Sequence, residues 1–222
     1  VMHNAKLCES IGHNVEECNI DYDGLLLSRA FAIIISSHVS QMFNELKDLV
    51  GRSFKKSEVE TASRALNYLG KSFRGKDYAW ARYTIQKISR DVMQQTNDYD
   101  AVILPIISQS APLLGELRPK KINNIQNEIL MALRLGFLFR IPFIRDPFLN
   151  KNIIENYWYS PDAVLQNVTG QPSISLPTFY TNNNLPLGVQ FAGRYAEESV
   201  LIDLASQLEQ ANPWIDKKPS IS

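Results

Sequence analysis

The chain has 222 residues, 45% of them hydrophobic and 21% charged, a composition that can bury a core and that excludes global disorder. Its 23 basic residues (Lys and Arg) balance its 23 acidic ones, so no bulk electrostatic reason exists to expect nucleic acid or an anionic membrane as partner. Its two cysteines, Cys8 and Cys18, cannot build a disulfide framework and read as free thiols of a reducing compartment.

The first six residues lack the apolar core of a signal peptide, and a soluble cytoplasmic protein is the default expectation. The apolar stretches 25–35 and 129–143 carry Arg29 and, in the second, Arg134 and Arg140. Both are too short and too charged for a bilayer, which needs ~20 apolar residues, and read as buried elements. Ala5, Leu7, Cys8 and Ile11 follow helical spacing up to a stop at Gly12. This helix has no capping box before it, as expected of a pattern whose beginning lies upstream. Residues 15–18 then read as a strand.

Three amphipathic helices follow. Val39, Met42, Phe43, Leu46 and Leu49 line the first, ended by Gly51. Val59, Ala62, Leu66 and Leu69 line the second, with Gly70 as its stop. Tyr78, Ala81, Ile85, Ile88 and Val92 line the third. Residues 101–104 form a continuous apolar run ahead of Pro105, the pattern of a strand buried on both faces. The Pro-, Ser- and Gly-rich segment 105–119 reads as a functional loop. Residues 122–160 have poor periodicity and predict short helices. At the C-terminal end, Ile174 and Leu176 alternate with serines, and Leu187, Val189 and Phe191 alternate with Gly188 and Gln190. The asparagines 182–184 supply the turn between these two strands. Val200, Leu201, Leu204, Ala205 and Leu208 form a last helical stripe, with Glu197 and Glu198 at its dipole-favoured start. Helices mixed with buried strands predict an α/β layer architecture.

Short catalytic patterns carry little here. Gly70-Lys71-Ser72 resembles part of a phosphate loop but closes an amphipathic helix, where the dipole repels phosphate. Ser53 and Lys56 have the Ser-x-x-Lys spacing of some acyl-transfer enzymes, in a charged stretch better read as a helix-capping region. His3, His13 and His38 form no metal-binding pair, and nothing indicates a metal or organic cofactor. They read as surface or helix-packing residues. Asn167-Val168-Thr169 is a glycosylation sequon by letter, read as a structural turn.

A longer block is more specific. Residues 167–177 read N-V-T-G-Q-P-S-I-S-L-P, residues 184–194 read N-L-P-L-G-V-Q-F-A-G-R, and L-A-S-Q-L-E follows at 204–209. In this order the block resembles the C-terminal end of the amidase signature family. Looser similarity extends to 99–105 and 5–17, so the resemblance runs over nearly the whole chain. Tyr159-Ser160-Pro161 looks most like the branch containing cyclic-amide oligomer hydrolases.

The resemblance implies an α/β fold, a mixed sheet covered by helices on both faces, with residues 1–222 as the C-terminal part of one amidase-type domain. It also implies amide hydrolysis by a Ser–cis-Ser–Lys triad, in which lysine deprotonates through a bridging serine, a second serine attacks the carbonyl, and backbone N–H groups hold the oxyanion. The Gly/Ser-rich stretch that carries such serines is not in this sequence. The chain alone is therefore expected to be inactive, its catalytic groups belonging to an N-terminal half and its substrate being a small amide. Candidate pocket residues are Ile106, Ile107 and Ser108 after the 101–104 strand, with Asn167 and Gln171 as amides near the 173–176 strand. For each amide a structural role stands beside this one: Asn167 capping a turn, Gln171 satisfying buried backbone groups. Two other readings remain open, a non-catalytic interaction module and the amidase subunit of a transfer-RNA-dependent amidotransferase. A halved sheet leaves an open edge, which predicts self-association or docking to the N-terminal half.

Overall fold

A computed structural model describes residues 1–116, 135–157, 160, 162, 164–182 and 184–218. The chain read above as part of one domain forms two compact units. The first comprises Val1–Gly24, Gln86–Pro112 and Trp158–Ser222, and the second Leu25–Ile85 and Leu113–Tyr157.

The first unit is built on a three-stranded sheet: β1 (Ala101–Pro105), β2 (Ser173–Tyr180) and β3 (Pro186–Gly193), in the order β1-β3-β2. Both pairings are antiparallel, so among the described residues the sheet expected to be mixed has no parallel pair. The asparagine turn closes the β2–β3 hairpin: Thr181 N–H donates to Leu185 C=O, and Asn184 takes φ 58°. β2 is an edge strand, where the missing N–H of Pro177 is tolerated. The apolar face carries Leu176, Val189 and Phe191, packed against Cys8 of helix α1 (Met2–Ser10) and against Leu201 and Leu208 of the C-terminal helix. That helix, Glu198–Ala211, presents the stripe read from the sequence.

An irregularity in β2 between Leu176 and Phe179 lets two successive side chains address α1. Thr178 Oγ1 donates to Asn4 Oδ1 at 2.5 Å, and the Phe179 ring tilts against His3. Helix α1 stops where expected, with Gly12 at φ 100°. Residues 15–18, predicted as a strand, have no regular structure. Val15 packs on the core, but among the described residues no neighbouring strand satisfies the segment's backbone, and a lone strand does not hold.

The second unit is helical. Helix α2 (Gly24–Val50) absorbs both the apolar 25–35 stretch and the predicted 39–49 helix. At 27 residues and a mean hydropathy of 1.3 over its most apolar window, it is long and apolar enough to cross a membrane, which corrects the length judged from 25–35 alone. In this unit it has another use. Ala30 and Ile33 are buried with Leu69 of α3 (Thr61–Gly70), Ala81 of α4 (Gly75–Thr96), and Leu149 and Ile153 of α5 (Pro142–Tyr157). Arg29 is paired with Asp146 at 3.1 Å. Of the segment expected to hold short helices, residues 135–140 form a 3-10 helix and α5 follows, while 122–134 lie outside the described residues.

Gly70 ends α3 but not by the left-handed cap that usually makes glycine a stop; the capping residue is Lys71, in right-handed conformation. Glycine is required for proximity instead. A Cβ on Gly70 would lie 2.0 Å from the Ser36 carbonyl oxygen of α2. The segment Gly70-Lys71-Ser72 is a helix C-terminus, as its pattern suggested, and Ser72 Oγ donates back to Leu69 C=O. Ser53 is exposed ahead of a 3-10 turn, where Glu58 accepts the Lys55 N–H and holds Arg52 at 2.9 Å. The histidines hold surface or packing positions, His13 beside Gln207 and His38 beside Tyr78.

Two outcomes follow from this packing. Gly70→Ala forces backbone apart and destabilises the chain by about 3 kcal/mol, the upper end for overpacking; a melting temperature equal to that of the parent contradicts the close approach. Burial pushes the Cys8 thiol above its ordinary range, whereas Cys18 is exposed. Titration with a disulfide dye then modifies Cys18 in the folded chain and Cys8 only on denaturation.

Candidate functional site

The second face of the sheet mixes polar and apolar side chains. Alternation along β1 and β3 puts Val102 and Leu104 on this face with Ala192 and Gln190, and Ser173 and Ser175 of β2 share it. The short helix α6 (Leu165–Thr169) covers part of it. Gln190, which alternates with the apolar residues of its strand, is buried, and so is Gln166 of α6. The Gln190 Nε2 group donates to Gln166 Oε1 at 2.5 Å. The sequence signal for Gln190 was its place in the L-P-x-G-V-Q run; nothing marked Gln166.

The loop after β1 is anchored over the same face. Ser160 Oγ donates to Ile106 C=O at 2.7 Å, bringing the residue ahead of the 167–194 block to the β1 exit. Beneath Ile106 lies Gly188. A Cβ there would stand 2.8 Å from Ser175 Oγ, too close without a shift of that hydroxyl, and in ordinary contact with Ile106 Cδ1 at 3.5 Å. Ile106 and Ile107 are half-buried and Ser108 is exposed. Asn167 is exposed on α6. Of the other residues quoted with Ser160, Tyr159 and Pro161 lie outside the described residues.

The N-V-T-G-Q-P run is a staple made of consecutive small tasks. Val168 C=O accepts a bond from Ser89 Oγ of α4. Thr169 Oγ1 accepts the Gln171 N–H. Gly170 takes φ 75°, the left-handed cap that ends α6. Gln171 is buried, and its Nε2 donates to Thr96 Oγ1 at 3.2 Å and to Gly193 C=O at 3.1 Å. Pro172 C=O accepts the Gly193 N–H at 2.9 Å. Of the two roles open to Gln171, the structure places its N–H donors in the structural one.

The G-R pair that closes the block also has a structural task. Arg194 donates to Asp100, just before β1, at 3.0 Å and to Glu197, at the start of the C-terminal helix, at 2.8 Å. Glu197 and then Asp100 raise the Arg194 pKa further. The polar groups described on this face are amides, hydroxyls and a backbone carbonyl, able to donate and accept hydrogen bonds beside the apolar Val102, Leu104 and Ala192.

No family model matches the chain. It is 26% identical over 224 residues to the 6-aminohexanoate-cyclic-dimer hydrolase of Pseudomonas sp. (strain NK87), an alignment covering 96% of this chain and 39% of that protein. The enzyme of the same description from Paenarthrobacter ureafaciens matches at 26% over 223 residues with the same coverage, and a lipoamidase of Enterococcus faecalis at 23%, over 95% of this chain and 29% of its own length. The chain's homologues are amidase-family proteins.

Among solved structures, 6-aminohexanoate cyclic dimer hydrolase superposes with a TM-score of 0.74 at 23% identity, over 99% of this chain and 42% of that one. A likeness at that identity shows the fold, which is the C-terminal portion of an amidase-signature fold. The chain thus spans about two-fifths of the length of these curated relatives.

Removing the staple tests whether the block is scaffold. Gln171→Leu leaves the Gly193 carbonyl and Thr96 hydroxyl without that partner and lowers the unfolding free energy by about 1–3 kcal/mol. Urea denaturation measures it, and an unchanged midpoint contradicts the assignment.

Proposed function

We propose that this chain is the C-terminal part of an amide-bond hydrolase, working through an acyl-enzyme whose serine nucleophile, bridging serine and lysine base come from the part of the polypeptide that the chain does not include. The observation that carries this reading is the alignment of almost the whole chain with amide hydrolases, joined to a site face that holds positioning groups rather than a nucleophile and base. In that enzyme the β1 exit loop, with Ile106, Ile107 and Ser108, forms one wall of the acyl pocket, and Asn167 offers an amide from α6. Apolar side chains beside isolated hydrogen-bond groups suit a small, largely aliphatic amide, where burial supplies binding and one or two polar contacts fix orientation. The cyclic dimer of 6-aminohexanoate, for which the first relatives are described, is the first substrate to try.

A chimaera tests this directly. Residues 1–222 replace the matching segment of the Paenarthrobacter ureafaciens hydrolase, and labelling by a fluorophosphonate probe and hydrolysis of the cyclic dimer are followed. The expected result is labelling of the chimaera and none of the isolated chain. A folded chimaera that neither labels nor hydrolyses any small amide contradicts the reading, as does labelling of the chain by itself. Within an active chimaera, Ile107→Ala raises KM several-fold with little change in melting temperature if Ile107 lines the pocket; equal KM removes it from the wall.

A further inference from the structure

Gln171 spends both of its side-chain N–H groups on the scaffold, but the glutamine pair on the second face of the sheet is only half used. Gln190 and Gln166 are each 8% exposed and share one bond, from Gln190 Nε2 to Gln166 Oε1. A glutamine amide carries both an acceptor oxygen and a donor nitrogen. The pair therefore keeps Gln190 Oε1 as an acceptor and Gln166 Nε2 as a donor, and among the described residues neither atom has a partner. Neither is sealed inside the unit; both keep access to the surface. Polar atoms of nearly buried side chains are costly to leave unmet, so water or a ligand must complete them.

The surroundings restrict what completes them. In register with Gln190 stand Leu104 on one side and Ser175 on the other, each about 4.8 Å away across the sheet. Ser175 is exposed, and the missing side chain of Gly188 leaves its hydroxyl room. Ile106, whose carbonyl Ser160 holds, reaches over Gly188, two residues along β3 from Gln190. An acceptor, a donor and a hydroxyl thus lie beside two aliphatic side chains. This is the make-up of a small-molecule site, where carbon is buried and a few polar groups fix orientation.

We propose that Gln190 and Gln166 form an amide-binding subsite, Gln190 Oε1 accepting an amide N–H and Gln166 Nε2 donating to an amide C=O, with Ser175 beside them and Leu104 and Ile106 against the methylene chain between amides. The inference rests on the reading under Proposed function and names its substrate class: aliphatic molecules with a second amide group, held here while the first is cleaved. An analogue without the N–H leaves Gln190 Oε1 unpaired and loses affinity for that reason. Selectivity then comes from two neutral side chains that need take no part in bond cleavage.

The test uses the 222-residue chain and two rings of one shape: the cyclic dimer of 6-aminohexanoate, and the corresponding dilactone, which keeps both carbonyls and lacks both N–H groups. The side-chain amide signals of Gln166 and Gln190 are followed by NMR. The diamide is expected to shift both signals and to bind about tenfold more tightly than the dilactone. Gln166→Glu keeps an oxygen for the bond from Gln190 and replaces the free donor with an acceptor; it is expected to weaken diamide binding about tenfold, with thermal melting showing a folded chain. Unmoved signals, equal affinity for the two rings, or unchanged binding by a folded Gln166→Glu chain overturns the proposal. Diamide binding at these signals beside an inactive chimaera keeps the subsite and removes the hydrolase reading; an active chimaera beside unmoved signals does the reverse.

Discussion

In the first unit three segments far apart in sequence meet at one side-chain amide. Gln171 sits just before β2, and its two N–H bonds go to Thr96 at the end of α4 and to Gly193 at the end of the central strand. A buried carbonyl at a strand end has no ladder partner and costs free energy comparable to a lost hydrogen bond unless something reaches it. A glutamine held in place by a left-handed glycine reaches it. Around that contact the backbone bond from Gly193 N–H to Pro172 C=O and the Arg194 bridge to Asp100 and Glu197 fix the same corner. The sheet and the C-terminal helix are set from this corner at the start of β1, while the exit loop at the strand's other end is anchored by Ser160.

Several letters of the 167–194 block serve as parts of a joint: a glycine for φ 75°, a glutamine for two buried acceptors, and an arginine for two carboxylates. Gly188 and Gly193 make room, the first for the Ser175 hydroxyl and the second for Leu201, whose Cγ a Cβ would meet at 3.2 Å. The resemblance to amide hydrolases was therefore read from scaffold residues. Chemistry enters through the homology of the longer proteins, not through anything this segment displays.

Local chemistry made much of the fold legible. The hairpin turn, the stop at Gly12, the apolar stripe at 200–208 and the run at 101–104 each depend on neighbours close in sequence, and each stands where its pattern placed it, although the strand at 101–104 expected to be buried on both faces has only Val102 buried. What was not legible depends on distant partners. Residues 15–18 had a strand's alternation but no strand beside them. Gly70 looked like a helix stop because the Ser36 carbonyl it makes room for lies 34 positions away. Nothing local announces that Gln190 is buried with Gln166 as its partner. The candidate site divides in the same way: Gln171 is committed to the scaffold, while the loop residues 106–108 stand at the β1 exit where the strand's end put them.

The claim that this corner organises the first unit is tested most directly by residue-resolved amide hydrogen exchange on the 222-residue chain. The account predicts that the Gly193 and Phe191 amides are among the slowest in the unit and exchange only when the whole unit opens, with denaturant dependence equal to that of global unfolding. Rapid exchange at Gly193 without denaturant, while the C-terminal helix remains protected, would show that the corner opens by itself and that the sheet is held by something else.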